Sequence, residues 1–356
     1  MPRTSANSSK RDAARNRATE RIRRVASHRQ PPDEWARDLV GGDRDALSRA
    51  ITLVESRSLG DRPAAEALLE SAGRLEAGAG AVRVGITGIP GVGKSTFIER
   101  FGQTLIQAGH RVAVLAVDPS SQRSHGSLLG DKTRMEQLGR HPQAFVLPSP
   151  AADALGGVNR ATSEAIALCE AAGYDRILVE TVGVGQSETA VREMTDIFLL
   201  LLISGAGDDL QGIKRGIMEM ADAVVVNKAD GAGMEAARRT AQECASALHL
   251  LPPAPHGTPV EVFTASGLEG QGLEAVAEHL ALLERTWIDS GWWAQQRSEQ
   301  RLERFERQVR ERLLERAVNG TELRALWERL ETQVARGQIS PYSAANLFVN
   351  NVDSSK

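Results

Sequence analysis

Apolar residues in the middle of the chain follow two patterns, which alternate from residue 82 to residue 285. Short continuous apolar runs predict buried strands at 82–87, 112–117, 144–147, 176–181, 196–203, 223–226 and 260–264. Apolar residues at helical spacing predict helices at 96–109, 157–172, 209–220, 233–250 and 272–285. Strands that are apolar throughout are typical of a parallel sheet with helices on both faces, so the pattern predicts a doubly wound α/β fold.

Helical patterns without strands flank this region. A helical lead-in is predicted at 33–57 and a second helix at 62–75, followed by a glycine-rich linker. After residue 286, polar helices carry a stripe of large residues, which favours either packing on the α/β domain or a dimer interface. The stripe comprises Trp287, Trp292, Trp293, Phe305, Val309, Leu313, Leu314, Leu326, Trp327, Leu330 and Val334. The predicted domains are a basic arm at 1–32, N-terminal helices at 33–80, the α/β domain at 81–286 and a C-terminal arm at 287–356.

Composition narrows the class of protein. With 41% hydrophobic residues among 356, the chain can bury a large core, and its formal net charge of −3 gives no general reason to expect nucleic acid or an anionic membrane as a partner. Cys169 and Cys244 lack a second thiol or histidine at metal-ligand spacing, which indicates inert thiols in a reducing compartment. The longest apolar run, 197–203, is too short to span a bilayer. We therefore expect a cytoplasmic protein that binds neither nucleic acid nor membrane.

The first 31 residues differ from this average because nine Arg or Lys residues face only Asp12 and Glu20. The arm has no apolar core of the kind that a secretory signal requires. Three interpretations stay open: a solvated, disordered arm, an organelle-targeting segment, or a basic tail that docks on an acidic partner.

A phosphate-binding motif joins the first strand to the next helix. Residues 88–96 fit the pattern G-x-x-x-x-G-K-[ST], in which backbone N–H groups surround a polyphosphate. Lys94 is predicted to reach the outer phosphates and the Ser95 hydroxyl to hold Mg²⁺. The predicted nucleotide-binding residues of this loop are Gly88, Pro90, Gly91, Val92, Gly93, Lys94, Ser95 and Thr96.

A second motif, Asn227-Lys228-Ala229-Asp230, follows the strand at 223–226 and predicts guanine as the base. The Asp230 carboxylate can accept from guanine N1–H and the 2-amino group, whereas adenine has no matching pair of donors. Lys228 can lie over the ring, and Asn227 can tie this loop to the phosphate loop. Thr264, Ala265 and Ser266 lie at the end of the next strand, where their backbone is expected to contact guanine O6.

Carboxylates at two other strand ends predict a magnesium site. Asp118 and Glu180 each end a strand beside the phosphate loop, and Mg²⁺ usually takes one or two protein carboxylates. Gly183 can offer its N–H to the γ-phosphate, which makes 183–188 a candidate nucleotide-sensing loop that includes Ser187. The predicted catalytic residues are Lys94, Asp118, Glu180, Gly183 and Gln186.

The residue that positions the attacking water is not assigned. Common GTPases carry Gln directly after the glycine of the acidic motif, but this chain has Val184 there and Gln186 later. Slow hydrolysis that awaits a partner is therefore a hypothesis. The polar loop at 119–133, with Asp131 and Lys132, and the glycine-rich loop at 205–214 are further candidate switch loops.

Several of these segments together resemble the MeaB/ArgK family of methylmalonyl-CoA-mutase-associated GTPases. The resemblance rests on 116–121, 130–135, 179–188 and 205–214, and extends over about residues 36–340. It implies a homodimeric GTPase chaperone that binds GTP or GDP with Mg²⁺ and gates cofactor delivery to an adenosylcobalamin-dependent acyl-CoA mutase, without binding cobalamin itself. It also implies that Asp118, Asp131 and Glu180 serve the metal and switches, and that Gln211 and Lys214 belong to a third switch loop.

Two alternative functions share the phosphate loop. A nickel-inserting GTPase would need a Cys/His metal site, and the sequence contains no such cluster. A P-loop kinase that phosphorylates a small molecule or a transport protein is disfavoured by the guanine-selecting motif. The identity of the mutase cannot be derived from the sequence.

Overall fold

The computed structural model describes residues 30–56, 58, 60–75, 80–117, 135–147, 155–181, 187–204, 215–319 and 321–354. The basic arm before residue 30 lies outside these ranges. So do seven predicted site residues: Asp118, Asp131, Lys132, Gly183, Gln186, Gln211 and Lys214. Ser187 is described through its backbone only. The roles predicted for these residues stay predictions.

Seven parallel strands form one sheet, in the order β3-β2-β4-β1-β5-β6-β7. The predicted α/β fold with a parallel sheet is therefore confirmed. The central strands β1, β4, β5 and β6 are almost completely buried, as expected for apolar strands with both faces covered. The strands are β1 Val82–Gly88, β2 Val112–Val117, β3 Ala144–Leu147, β4 Arg176–Thr181, β5 Ile197–Ile203, β6 Ala223–Asn227 and β7 Glu261–Thr264.

Thirteen α-helices are described in these ranges. Those of the first 290 residues are α1 Pro32–Val40, α2 Arg44–Val54, α3 Arg62–Leu75, α4 Lys94–Gln107, α5 Glu136–Arg140, α6 Leu155–Ala171, α7 Ser187–Arg192, α8 Arg215–Met220, α9 Met234–Leu248 and α10 Leu273–Asp289. The remaining three are α11 Trp292–Asn319, α12 Thr321–Ala335 and α13 Pro341–Ser354.

The prediction of one lead-in helix at 33–57 is wrong, because the chain forms two helices there, α1 and α2. Gly42 adopts a left-handed backbone with φ of 84°, which ends the first helix. The Asp43 side chain then accepts from the N–H groups of Asp45 and Ala46 and caps the second. Leu39, at the end of α1, and Ile51 of α2 are fully buried in one core with Phe198 of β5, so these helices pack on the α/β region.

The chain divides into two compact units, Met1–Trp287 and Ile288–Lys356. In the second unit, Leu330, Ala344 and Phe348 form a small buried cluster, and the Trp327 and Phe348 rings meet edge to face at 5.1 Å. Large apolar residues on α11 are nevertheless exposed, including Phe305 at 63%. The domain boundaries stay predictions. No helix within the described ranges is long and apolar enough to cross a membrane.

Candidate nucleotide-binding site

The phosphate loop is a tight turn between β1 and α4 that only glycine can complete at two positions. Gly91 and Gly93 have φ of 81° and 92°, in the left-handed region that residues with a Cβ rarely adopt. A Cβ on Gly93 would also lie 3.1 Å from the Asn227 amide nitrogen. Because Gly93 is the N-cap of α4, the free N–H groups of the first helical turn face the loop, as in phosphate sites at helix N-termini.

Lys94 is held inside this loop. Lys94 is 9% exposed, and its ammonium group donates to the Gly88 carbonyl oxygen at 2.7 Å. Burial lowers the pKa of Lys94, while the carboxylates of Glu180 and Glu188 counteract that shift. The cation is thus already positioned at the mouth of the loop, where the outer phosphates of a nucleotide would replace the Gly88 carbonyl as its partner.

Ser95 and Glu180 bring two oxygen ligands together. Register places Glu180 beside Ile86 of β1 and Ala116 of β2, so this carboxylate emerges next to the phosphate loop. The Ser95 hydroxyl donates to Glu180 Oε1 at 3.2 Å, and Glu180 is only 4% exposed. A hydroxyl and a carboxylate are ligands of the hard type that Mg²⁺ requires, so the donor set fits this ion.

Asn227 links the phosphate loop to the guanine motif, as the sequence predicts. Its amide nitrogen donates to the Val92 carbonyl at 2.9 Å, and its amide oxygen accepts from the Gly267 N–H at 2.9 Å. Lys228 adds a parallel link, since its ammonium group donates to the Gly91 carbonyl at 2.8 Å. Lys228 has φ of 60°, the one positive value among the described non-glycine residues. A left-handed residue here costs conformational energy, which these tertiary contacts offset.

Asp230 is oriented by the side chain of Ser266, a residue whose backbone was predicted to contact the base. The Ser266 hydroxyl donates to Asp230 Oδ2 at 2.5 Å and itself accepts from the Glu269 N–H at 2.9 Å. Ser266 is completely buried, so its hydroxyl fixes the orientation of the Asp230 carboxylate. The backbone N–H of Ala229 also donates to the Ala265 carbonyl at 3.0 Å, which joins the two loops. Nothing in the sequence pattern indicates the Ser266 to Asp230 contact, because 36 positions separate the residues.

The structure therefore brings together the phosphate loop, Glu180 and both guanine-side loops at the carboxyl ends of the strands. This is the edge where doubly wound folds bind their ligands. Two buried groups go beyond the predicted set. Glu188 is 2% exposed in the first turn of α7, and the hydroxyls of Thr87 and Thr181 lie 3.0 Å apart between the ends of β1 and β4. The second contact fixes the strand end from which the candidate sensing loop departs.

Known proteins resemble the chain over most of its length. A putative GTPase of Caulobacter vibrioides is 52% identical over 316 residues, which are 88% of this chain and 95% of that protein. The mitochondrial methylmalonic aciduria type A homolog of Mus musculus is 46% identical over 319 residues, 87% of this chain and 77% of that protein. The crystal structure of a LAO/AO transport system kinase has a TM-score of 0.68 at 34% identity, covering 90% of this chain and 97% of that one.

A family profile agrees with these relatives. The profile described as methylmalonyl Co-A mutase-associated GTPase MeaB matches residues 47–322, which include the phosphate loop and the guanine motif. The family resemblance expected from the motifs is thus confirmed, and so is the P-loop fold. The chain belongs to the MeaB family of methylmalonyl Co-A mutase-associated GTPases.

Proposed function

We propose that this GTPase is a chaperone of an adenosylcobalamin-dependent acyl-CoA mutase of the methylmalonyl-CoA type. In this proposal it gates cofactor loading, protects the loaded mutase and supports its reactivation. The observation that carries the nucleotide part is the Asn227 bridge, which holds the loop of the base-reading Asp230 against the phosphate loop. The family match supports the mutase as partner.

Each residue of the site has a proposed role in hydrolysis of GTP to GDP and phosphate. Lys94 binds the outer phosphates, and Asp230 selects the base. Ser95 and Glu180, with Asp118 and Asp131, would hold Mg²⁺, which when bound supplies positive charge to the phosphate oxygens. The N–H groups at the start of α4 complete the anion site. Gly183, Gln186, Ser187, Lys132, Gln211 and Lys214 are proposed to report the nucleotide state to the partner.

Hydrolysis is expected to be slow in the isolated chain and at least about tenfold faster with the client mutase, since regulated GTPases gain most of their rate from a partner. Single-turnover hydrolysis with and without a candidate mutase measures this difference. Co-purification without nucleotide, with GDP and with a non-hydrolysable GTP analogue tests whether binding depends on the nucleotide. Asp230→Asn is the matched control, because its binding should no longer respond to the GTP analogue. If none of the candidate mutases binds this chain or accelerates its GTP hydrolysis, the chaperone role is refuted.

A kinase is the second candidate, since the structurally similar LAO/AO transport system protein carries that name. The two functions differ in the fate of the γ-phosphate. GTP labelled at that phosphate, incubated with basic amino acids or candidate proteins, gives free phosphate in the GTPase case and a labelled acceptor in the kinase case.

We also propose that the chain forms a homodimer through α11. Leu302, Phe305, Val309 and Leu313 recur at helical spacing on one face of this helix and are 61%, 63%, 38% and 63% exposed. Such a stripe is an unfavourable surface for an isolated helix, and a second copy can cover it.

Phe305→Arg is expected to shift the chain from dimer to monomer, because it places a charge in the centre of the stripe. Analytical ultracentrifugation across protein concentrations measures the change in dissociation constant, which should rise by about a hundredfold or more. Glu303→Arg, an exposed charge change away from the stripe, should leave the dimer intact. Equal effects of the two changes would exclude this face as the interface.

A further inference from the structure

Helix α7 lies between the candidate nucleotide site and a buried ion pair, which Arg192 forms with Asp222 at the start of β6. Its first two residues belong to 183–188, the loop predicted to sense the nucleotide, and it has only six residues. It packs closely on β1, since a Cβ on Gly85 would lie 2.9 Å from Val191 Cγ1. A displacement of this short helix would therefore be felt at the phosphate loop.

One end of α7 carries a buried carboxylate. Glu188, in the first turn, is 2% exposed, and its carboxylate is one of the two charges that raise the pKa of Lys94 against the effect of burial. Glu180, the other charge, is fixed by the sheet register, whereas Glu188 depends on the placement of α7. The electrostatic surroundings of the phosphate-binding lysine thus depend in part on this helix.

The other end of α7 is anchored by Asp222. Arg192, one turn after Glu188, pairs with this carboxylate through two contacts, Nη1 to Oδ2 at 2.7 Å and Nη2 to Oδ1 at 3.3 Å. Paired contacts of this kind fix the orientation of a guanidinium group as well as its position. Residues four apart in a helix share a face, so holding Arg192 also sets the position of Glu188.

Asp222 is itself held from three sides. It precedes β6, is 2% exposed, and accepts from the Phe198 N–H of β5 at 2.7 Å. The buried His256 places Nε2 3.2 Å from Asp222 Oδ1. The His256 ring rests on the fully buried Trp287 ring at 4.5 Å, and the Trp287 indole donates to Thr258 at 2.9 Å. The anchor of α7 is therefore part of the rigid core.

We propose that Asp222 is a positioning residue for GTP hydrolysis, which acts through Arg192 to hold α7, and with it the buried Glu188, against β1, the strand that leads into the phosphate loop. This inference rests on the GTPase activity proposed above. A substitution far from the reacting atoms can displace the groups around them by about 1 Å, and such a displacement can lower the rate about a hundredfold. A purely structural ion pair would instead affect stability alone.

Asp222→Asn separates these two roles. The amide keeps the shape of the side chain and an oxygen acceptor for the Phe198 N–H, but loses the charge that pairs with Arg192. We expect kcat for GTP hydrolysis to fall by about tenfold to a hundredfold, with KM for GTP within about threefold of wild type, because the phosphate loop itself is unchanged.

Glu170→Gln is the matched control. Glu170 pairs with Arg83 through contacts of 2.7 Å and 2.9 Å between β1 and α6, and their side chains are 9% and 12% exposed. This pair resembles the Arg192 to Asp222 pair in burial and geometry but does not hold α7. Glu170→Gln is expected to lower the melting temperature comparably and to leave kcat unchanged.

The combined variant completes the test. Arg192→Gln alone should reproduce the loss of kcat, and it also serves if Asp222→Asn folds poorly, because Arg192 lies nearer the surface with 21% side-chain exposure. Arg192→Gln with Asp222→Asn should lose no more than either single variant, since both break one pair. Unchanged kcat in the single variants, or an equal loss in Glu170→Gln, would overturn the inference. If the wild-type chain does not hydrolyse GTP, the proposed function itself is overturned.

Discussion

An Asp230→Asn chain is expected to bind GTP about a hundredfold more weakly than wild type and to gain affinity for xanthosine triphosphate. The carboxylate has no proton to donate and can accept from both guanine N1–H and the 2-amino group. An amide nitrogen in its place opposes the 2-amino donor, but it can donate to the 2-oxo group of xanthine. The exchange therefore reverses a donor and an acceptor at one position of the base.

The structure makes this substitution a sharp test because Asp230 has a single orienting contact from Ser266, which an Asn oxygen can also accept. The loop should thus keep its shape. Equilibrium titration with fluorescent GDP, in competition with GTP and xanthosine triphosphate, measures both affinities. With the xanthosine nucleotide at saturation, kcat should return to near the wild-type value for GTP. Unchanged GTP affinity would remove Asp230 from base recognition.

The strands and their parallel arrangement could be derived from the sequence, because continuous apolar runs such as 197–203 and 223–226 are typical of strands that are buried on both faces. The helices were less predictable where one or two residues decide whether a helix ends. The apolar residues before and after residues 41–43 continue one helical spacing. Only the left-handed Gly42 and the cap by Asp43 divide the lead-in into two helices. The short α7 has too few positions for a helical period to be recognised.

The candidate site divides in the same way. The phosphate loop and the guanine motif were predictable because each is a contiguous pattern whose chemistry needs neighbouring residues, Gly93 before Lys94 for example. The contacts that orient them join residues far apart in sequence. Asn227 reaches Val92 across 135 positions, which the motif suggested. Arg192 meets Asp222 across 30 positions, and no pattern suggested it.

Order along the sheet explains why the two halves of the site meet. Strand β1 is followed by β5 and then β6, so the loop after β6 lies two strands from the phosphate loop on the same edge. Gly267 then brings the third loop against α4, since a Cβ there would lie 2.8 Å from the Phe97 Cα atom. The loops proposed to recognise base and phosphate are thus connected through backbone contacts, as the proposed partner-dependent switch requires.

Lys94→Ala is expected to lower kcat for GTP hydrolysis by about a thousandfold, because it removes a preorganised cation where negative charge develops on the transferred phosphoryl group. The contact of this cation with the Gly88 carbonyl at 2.7 Å holds it at the phosphate loop, so little reorganisation precedes its action. The change also removes the positive charge that interacts with the buried carboxylates of Glu180 and Glu188, and some loss of stability should accompany it.

Single-turnover hydrolysis at saturating GTP, paired with thermal unfolding, separates the two effects, and Lys94→Met repeats the test with a side chain of similar length. Arg74→Ala, which removes a cation 71% exposed on α3, is the control and should change neither rate nor melting temperature noticeably. Xanthosine triphosphate, which restores activity to Asp230→Asn, should not restore it here, because the defect lies at the phosphates. If Lys94→Ala hydrolyses GTP within about threefold of wild type, the chemistry occurs elsewhere than at the loop of residues 88–96.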